Sequence, residues 1–111
     1  MRDGIYSFRY EALGQRSRGS LTLRGDLAHG GDTRVMLQGQ LSHSASAVTA
    51  SLDVTSVERL KQIEDCFGAL DFTIRLTGAG SDTHFDMIGI GPRGLIVGIA
   101  GEWMAPLAAA T

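Results

Sequence analysis

The sequence of 111 residues contains one cysteine, Cys66, and only two prolines. A single cysteine excludes an intrachain disulfide, which agrees with a reducing compartment without proving one. The most apolar stretch, residues 95–100, is far shorter than the roughly 20 residues that a membrane-spanning helix needs. The N-terminus has no apolar signal-peptide core. These features predict a cytoplasmic protein that makes no contact with a membrane.

The chain also has no large excess of positive or of negative charge. The chain has 10 Lys and Arg against 12 Asp and Glu, mixed along its length, for a net charge of −2. A nucleic-acid-binding surface needs a basic stripe, so we expect no direct contact with nucleic acid. An apolar fraction of 43% argues against disorder. We predict one domain over residues 1–105, followed by a disordered tail over residues 106–111.

Residues arranged for chemistry are absent as well. His29, His43 and His84 are not spaced as metal ligands, and Cys66 alone cannot complete a zinc set. Cys66 also lacks the local signature of a nucleophile. A metal site that the fold assembles from His84, Asp86 and a distant histidine stays open as an alternative. The sequence therefore predicts a protein that is not an enzyme and that has no catalytic residues, metal or cofactor.

One stretch has the glycine spacing of a dinucleotide-binding loop. Residues 89–94 have the spacing G-x-G-x-x-G. Such a loop must open a helix inside a βαβ unit, with an acidic residue further on. Only a β-rich run and a short tail follow Gly94, so we interpret the stretch as a hairpin turn.

Glycine, in contrast, is abundant, with 15 residues, about twice its usual share. The glycines separate short segments in which apolar and polar residues alternate, which is typical of antiparallel strands joined by tight turns. The clearest case is Phe72, Ile74 and Leu76, which alternate with polar neighbours. The predicted strands are residues 3–10, 20–24, 27–29, 35–41, 45–54, 70–77, 83–90 and 95–104.

This spacing predicts a mostly β fold, an antiparallel up-and-down β-barrel of about eight strands. Closure of the barrel removes exposed sheet edges. Residues 13–19 are predicted to form a hairpin loop, residues 30–32 a turn and residues 78–82 a flexible turn. Around residues 56–66 the alternation breaks, and helical spacing of apolar residues after Ser56 predicts at most one short helix. An extended connection between strands is the alternative there.

Aromatic residues make up only 6% of the chain, yet three of them fall on one face of the first strand. The ordinary interpretation is the core face of a sheet. The alternative is the wall of a cavity, because a barrel of about eight strands is filled by side chains or holds one small ligand. The candidate lining residues are Tyr6, Phe8, Tyr10, Met36, Phe85 and Met87. The alternative function is thus a carrier or sensor for a small hydrophobic ligand.

Near the C-terminus, Trp103 and Met104 are large apolar residues at the end of the last predicted strand. We expect them to plug one end of the barrel. Tryptophan is also a common anchor of protein interfaces, which is the alternative.

Four segments of the N-terminal half resemble the GrlR family in their order and spacing. They are residues 3–6, Gly19 at the head of a strand, residues 30–32, and residues 38–42. The family comprises small bacterial proteins named for a negative regulator of type III secretion gene expression. The resemblance implies a lipocalin-like β-barrel that forms a homodimer. It also implies a regulator that binds a protein partner, such as a transcriptional activator that is thereby held from DNA.

The chain departs from this family at one place. In one member of the family a surface run of four alternating Glu and Asp follows the Leu-Ser pair and is implicated in holding the activator. The matching positions here are His43, Ser44, Ala45 and Ser46, and none of them is acidic. An acidic run attracts a basic DNA-binding surface, which these residues cannot do at neutral pH. The resemblance implies a partner-binding role for the four positions, while the identity of the partner stays open.

Overall fold

The computed structural model describes residues 1–12, 15–32, 35–56 and 71–107. In this part of the chain the secondary structure consists of eight strands and one 3-10 turn, Pro92–Gly94. The strands are β1 (Gly4–Ala12), β2 (Gln15–Arg24), β3 (Leu27–Gly31), β4 (Val35–Ser44), β5 (Ala47–Ser56), β6 (Asp71–Gly80), β7 (His84–Ile90) and β8 (Ile96–Ala105).

The strands form a closed barrel in sequence order. Each strand pairs antiparallel with the next one, and β8 pairs antiparallel with β1 to complete the ring. The prediction of an antiparallel up-and-down barrel of about eight strands is therefore confirmed. Closure gives every strand two partners, so hydrogen-bonding groups that an open sheet would expose at its edges are paired.

The alternation of apolar and polar residues decides which face of each strand points inward. In β1 the side chains of Tyr6, Phe8 and Tyr10 are buried, whereas Ser7 and Arg9 are exposed. A slip of one residue against β2 or β8 would turn the three rings into water and the polar residues into the core. The alternation therefore excludes slips by an odd number of residues, and all eight strands contribute buried apolar side chains.

Two inward glycines make room for the aromatic rings. Gly19 lies opposite Phe8 across the β1–β2 pair, and a Cβ atom there would lie 2.9 Å from the Phe8 ring. Gly101 lies opposite Phe85 across the β7–β8 pair, where a Cβ atom would overlap the Phe85 ring. These glycines therefore serve close packing inside strands rather than turns.

We expect Gly101→Ala to destabilise the protein by about 2 kcal/mol, because overpacking a filled core forces side chains and backbone to shift. The matched control is Gly98→Ala on the same strand. A Cβ atom at Gly98 meets only the Met87 carbonyl oxygen, at 4.0 Å. Urea denaturation followed by tryptophan fluorescence measures both variants. Equal midpoints for the two would contradict the packing role of Gly101.

Three local predictions differ from the structure. Residues 15–19 were expected in a hairpin loop but belong to β2, where Arg16 and Arg18 face outward and Gly19 packs beneath Phe8. Residues 78–80 were expected in a turn but end β6, where Gly78 lets the backbone approach Asp86 of β7. Residues 30–31 likewise belong to β3 rather than to a turn.

Two further predictions concern the limits of the described chain. Ser56 is the last residue of β5, and the helix expected around residues 56–66 otherwise lies outside the described residues. Of the tail expected over residues 106–111, only residues 106–107 are described, and they follow β8 without regular secondary structure.

Candidate functional site

The inside of the barrel is the first candidate site. Five of the six candidate lining residues point inward, at 0–4% exposure: Tyr6, Phe8, Tyr10, Phe85 and Met87. Met36 does not line the interior, because it lies between the inward-facing Val35 and Leu37 and is 41% exposed on the outer face. The prediction for Met36 is therefore wrong.

The apolar cavity that the structure describes among inward-facing side chains is small. An apolar cavity beside Tyr10, bounded also by Leu37, Ile74 and Ile99, has a volume of about 10 Å³. One water molecule needs about that much, whereas sites for drug-sized ligands have roughly 300–1,000 Å³. Tyr6 packs against Phe85 with ring centroids 5.9 Å apart, and Phe8 stacks on Tyr10 at 6.1 Å. This cavity is too small for a hydrophobic ligand.

Asp32 organises hydrogen bonds near Tyr10. Its Oδ2 atom accepts hydrogen bonds from the Tyr10 hydroxyl (2.8 Å) and the Ser17 hydroxyl (2.7 Å). Its Oδ1 atom accepts one from the Val35 backbone N–H, at 2.8 Å. One carboxylate thus joins β1, β2 and the start of β4. The sequence pattern predicts only a turn at Asp32, and nothing local in the sequence indicates its partners.

The N-terminal residues cover the opposite end of β1. The backbone N–H of Arg2 donates to the Asp82 carbonyl oxygen at 2.9 Å, and the Arg2 guanidinium lies 4.0 Å from the centre of the Trp103 ring. The indole N–H of Trp103 donates to the Asp3 carbonyl oxygen at 3.1 Å. Trp103 packs against the core here, as expected of a plug, but Met104 is 63% exposed and does not.

Tyr6 lies beneath this cover. Its hydroxyl is within hydrogen-bonding distance of the carbonyl oxygens of Arg2 (2.5 Å) and Asp82 (3.1 Å). Burial raises the pKa of Tyr6 above its usual 10.0, and the carboxylates of Asp3 and Asp82 raise the pKa further, while Arg2 acts in the opposite direction. The phenol is therefore held in its neutral form.

This shift predicts how stability changes at alkaline pH. Below about pH 10, Tyr6 is neutral in both the folded and the unfolded state and adds no pH dependence. Above it the unfolded chain loses the proton first, so the free energy of unfolding falls as pH rises toward the folded pKa. Urea unfolding at several pH values between about 9 and 11.5 should give a shallower decline for Tyr6→Phe than for the unaltered protein. Identical declines would contradict the assignment.

The four positions that match the family's acidic run lie at the β4–β5 hairpin. Ser44, Ala45 and Ser46 are exposed, and Ala45 has a φ of 55°. His43 faces inward, with its side chain 13% exposed and its Nδ1 atom 3.6 Å from Asp82 Oδ1. The His43 Nε2 atom is buried without a hydrogen-bond partner among the described residues. Three of the four positions are thus accessible to a partner.

An exposed apolar patch lies on the outer face of β7 and β8. It consists of Ile88, Ile90 and Ile96, which are 57%, 71% and 61% exposed. Ile90 and Ile96 are directly opposite each other in the β7–β8 pair, and Ile88 is two residues from Ile90 on the same face. Single exposed apolar residues are ordinary, whereas a contiguous group is a candidate interaction surface. We call these three residues the isoleucine patch.

Beside the patch the outer face is concave. A groove of about 650 Å³ has the small residues Gly98 and Ala100 of β8 in its lining. On one side lie the exposed Arg9 of β1 and Arg18 of β2, and on the other lies Asp86 of β7. We call this feature the outer groove. Larger side chains on β1, β2 and β7 flank the small ones on β8, which creates the depression.

Among the described residues, no group of three or more His, Cys, Asp and Glu side chains is placed to hold a metal ion. Within the described part of residues 1–107, the structure has no helix with the length and apolarity that crossing a membrane requires. The chain matched no model of a protein family and no curated protein with which it was compared.

Proposed function

We propose that this protein is a cytoplasmic regulatory protein of the GrlR type, without enzymatic activity, that acts by binding another protein. The observation that carries the proposal is the isoleucine patch, three contiguous isoleucines at 57–71% exposure on a closed barrel. Exposure of these side chains to water does not stabilise a monomer. Burial of one such side chain in a contact contributes roughly 1.5–3 kcal/mol to the free energy of association.

The resemblance over about the first fifty residues supports the regulatory part of the proposal. It makes a transcriptional activator, or another protein that controls gene expression, the partner to look for. The hairpin tip at Ser44, Ala45 and Ser46 is exposed but has no acidic side chain. The partner surface proposed here is therefore the isoleucine patch, in place of the acidic run of the family.

A homodimer is the second part of the proposal. Symmetric dimers use the same patch on both subunits, so a self-complementary apolar surface suits them. Sedimentation at high protein concentration should show a dimer. A monomer at all concentrations would refute the homodimer and leave the partner protein as the occupant of the patch.

The alternative of a carrier for a small hydrophobic ligand has little support, because the apolar cavity beside Tyr10 measures about 10 Å³. Native mass spectrometry of the protein purified from its own host separates the two functions. A co-purifying polypeptide, or a bare dimer, agrees with the regulator. A co-purifying mass of lipid size would overturn it in favour of the carrier.

A further inference from the structure

Two arginines stand side by side at the outer groove. Arg9 of β1 and Arg18 of β2 are directly opposite each other, and both are exposed. Opposed side chains of this kind have Cβ atoms about 4.5–5.5 Å apart, and like charges there are destabilising. Within the described chain, neither side chain forms an ion pair or hydrogen bond. The pair therefore presents two positive charges that an incoming anion would neutralise.

The neighbouring charges restrict where an anion fits. Arg16 is already paired with Glu11, at 3.3 Å between Nε and Oε2. Asp86 stands two strands away from Arg9, because Ala100 lies between them in the register of β1, β8 and β7. An acidic group is therefore attracted to the β1–β2 side of the groove and repelled from its β7 side.

The groove floor at Gly98 suits an apolar group. Gly98 lies directly opposite Ile88 of the isoleucine patch, so the groove and the patch are continuous at this point. A second depression of about 170 Å³ continues along β8 past Ala100 to Glu102 and Ser7. From Gly98 to Glu102 the strand rises roughly 13 Å, which is the length of about four extended residues.

We propose that the outer groove binds an extended segment of the partner protein with an acidic side chain next to an aliphatic one. The carboxylate pairs with Arg9 and Arg18, and the aliphatic side chain lies over Gly98 against Ile88. Arginine forms two parallel hydrogen bonds with a carboxylate, which fixes the orientation of the segment. This inference rests on the proposed function and specifies the chemistry of the partner.

The test uses the full chain, immobilised, and a phage-displayed library of random linear peptides of about twelve residues. The selected peptides should be enriched in Asp or Glu next to Val, Ile or Leu. Fluorescence polarisation with one selected peptide should show binding about tenfold weaker for the double variant Arg9→Ala/Arg18→Ala, and weaker in high salt. The matched control is Arg24→Ala, an exposed arginine of β2 that lies outside the groove and should leave binding unchanged.

Two more variants test the floor and the charge. Gly98→Ile fills the floor and should abolish binding; the nearest atom to a Cβ there is 4.0 Å away, so the fold has room for the side chain. Arg9→Glu/Arg18→Glu should select basic peptides in place of acidic ones. No binding peptides, no acidic enrichment, or equal binding to Gly98→Ile would each overturn the inference. Peptides without acidic residues that need Ile90 would overturn it while leaving the proposed function standing.

Discussion

Asp32→Ala is expected to lower the free energy of unfolding by about 3 kcal/mol. The variant removes a carboxylate that accepts hydrogen bonds from the Tyr10 hydroxyl, the Ser17 hydroxyl and the Val35 backbone N–H. A hydrogen bond to a charged group contributes roughly 1.5–3 kcal/mol, and partial exposure of Asp32 reduces the sum. The Tyr10 side chain is only 4% exposed, so its hydroxyl would lose this hydrogen bond in a place that water reaches poorly.

Urea denaturation measures this loss, which should lower the midpoint by about 2 M for a chain of this size. Asp53→Ala is the matched control, because Asp53 accepts a hydrogen bond from the Thr73 hydroxyl (2.7 Å) on the exposed face of β5. That variant should cost under about 1 kcal/mol. Asp32→Asn should fall between the two, since an amide offers one acceptor oxygen where the carboxylate has two. Equal midpoints for Asp32→Ala and Asp53→Ala would refute the role of Asp32.

Ile96→Glu is expected to weaken the association with the partner protein, or with a second copy, at least about 100-fold. A charge placed in the apolar centre of a contact must lose its hydration without gaining a partner, and central contacts carry most of the binding energy. Ile96 is 61% exposed, so the free protein should keep its stability within about 0.5 kcal/mol. Sedimentation reports the dimer, and capture of the co-purified polypeptide reports the partner.

The same strand supplies a matched control for this substitution. Met104 of β8 is 63% exposed and faces outward like Ile96, at the far end of the strand from the isoleucine patch. Met104→Glu therefore adds the same charge to the same face and should leave association unchanged. If both variants associate as well as the unaltered protein, the isoleucine patch is not the contact surface, and the proposed function loses the observation that carries it.

Individual residues show which structural positions the sequence pattern predicts and which it does not. Tyr6, Phe8 and Tyr10 were placed correctly on the inner face, because the period of two in β1 is unbroken. Residues 15–19 were misinterpreted as a loop, since Gly19 is conformationally permissive and the outward residues of β2 are polar. The packing role of Gly19 depends on the ring of Phe8, which lies in another strand. Met36 faces outward because it alternates with the inward Val35 and Leu37, a position that its apolar character alone does not reveal.

The chain encodes its strands locally, through alternation and glycine spacing, and that information was enough for the number of strands and the barrel class. Closure between β1 and β8, the packing of rings over glycines and the role of Asp32 depend on contacts between residues far apart in sequence. The outer groove is a further example: Arg9, Arg18, Gly98 and Asp86 lie on four strands and meet only because the register aligns them. Such neighbours are set by long-range pairing, which no local pattern contains.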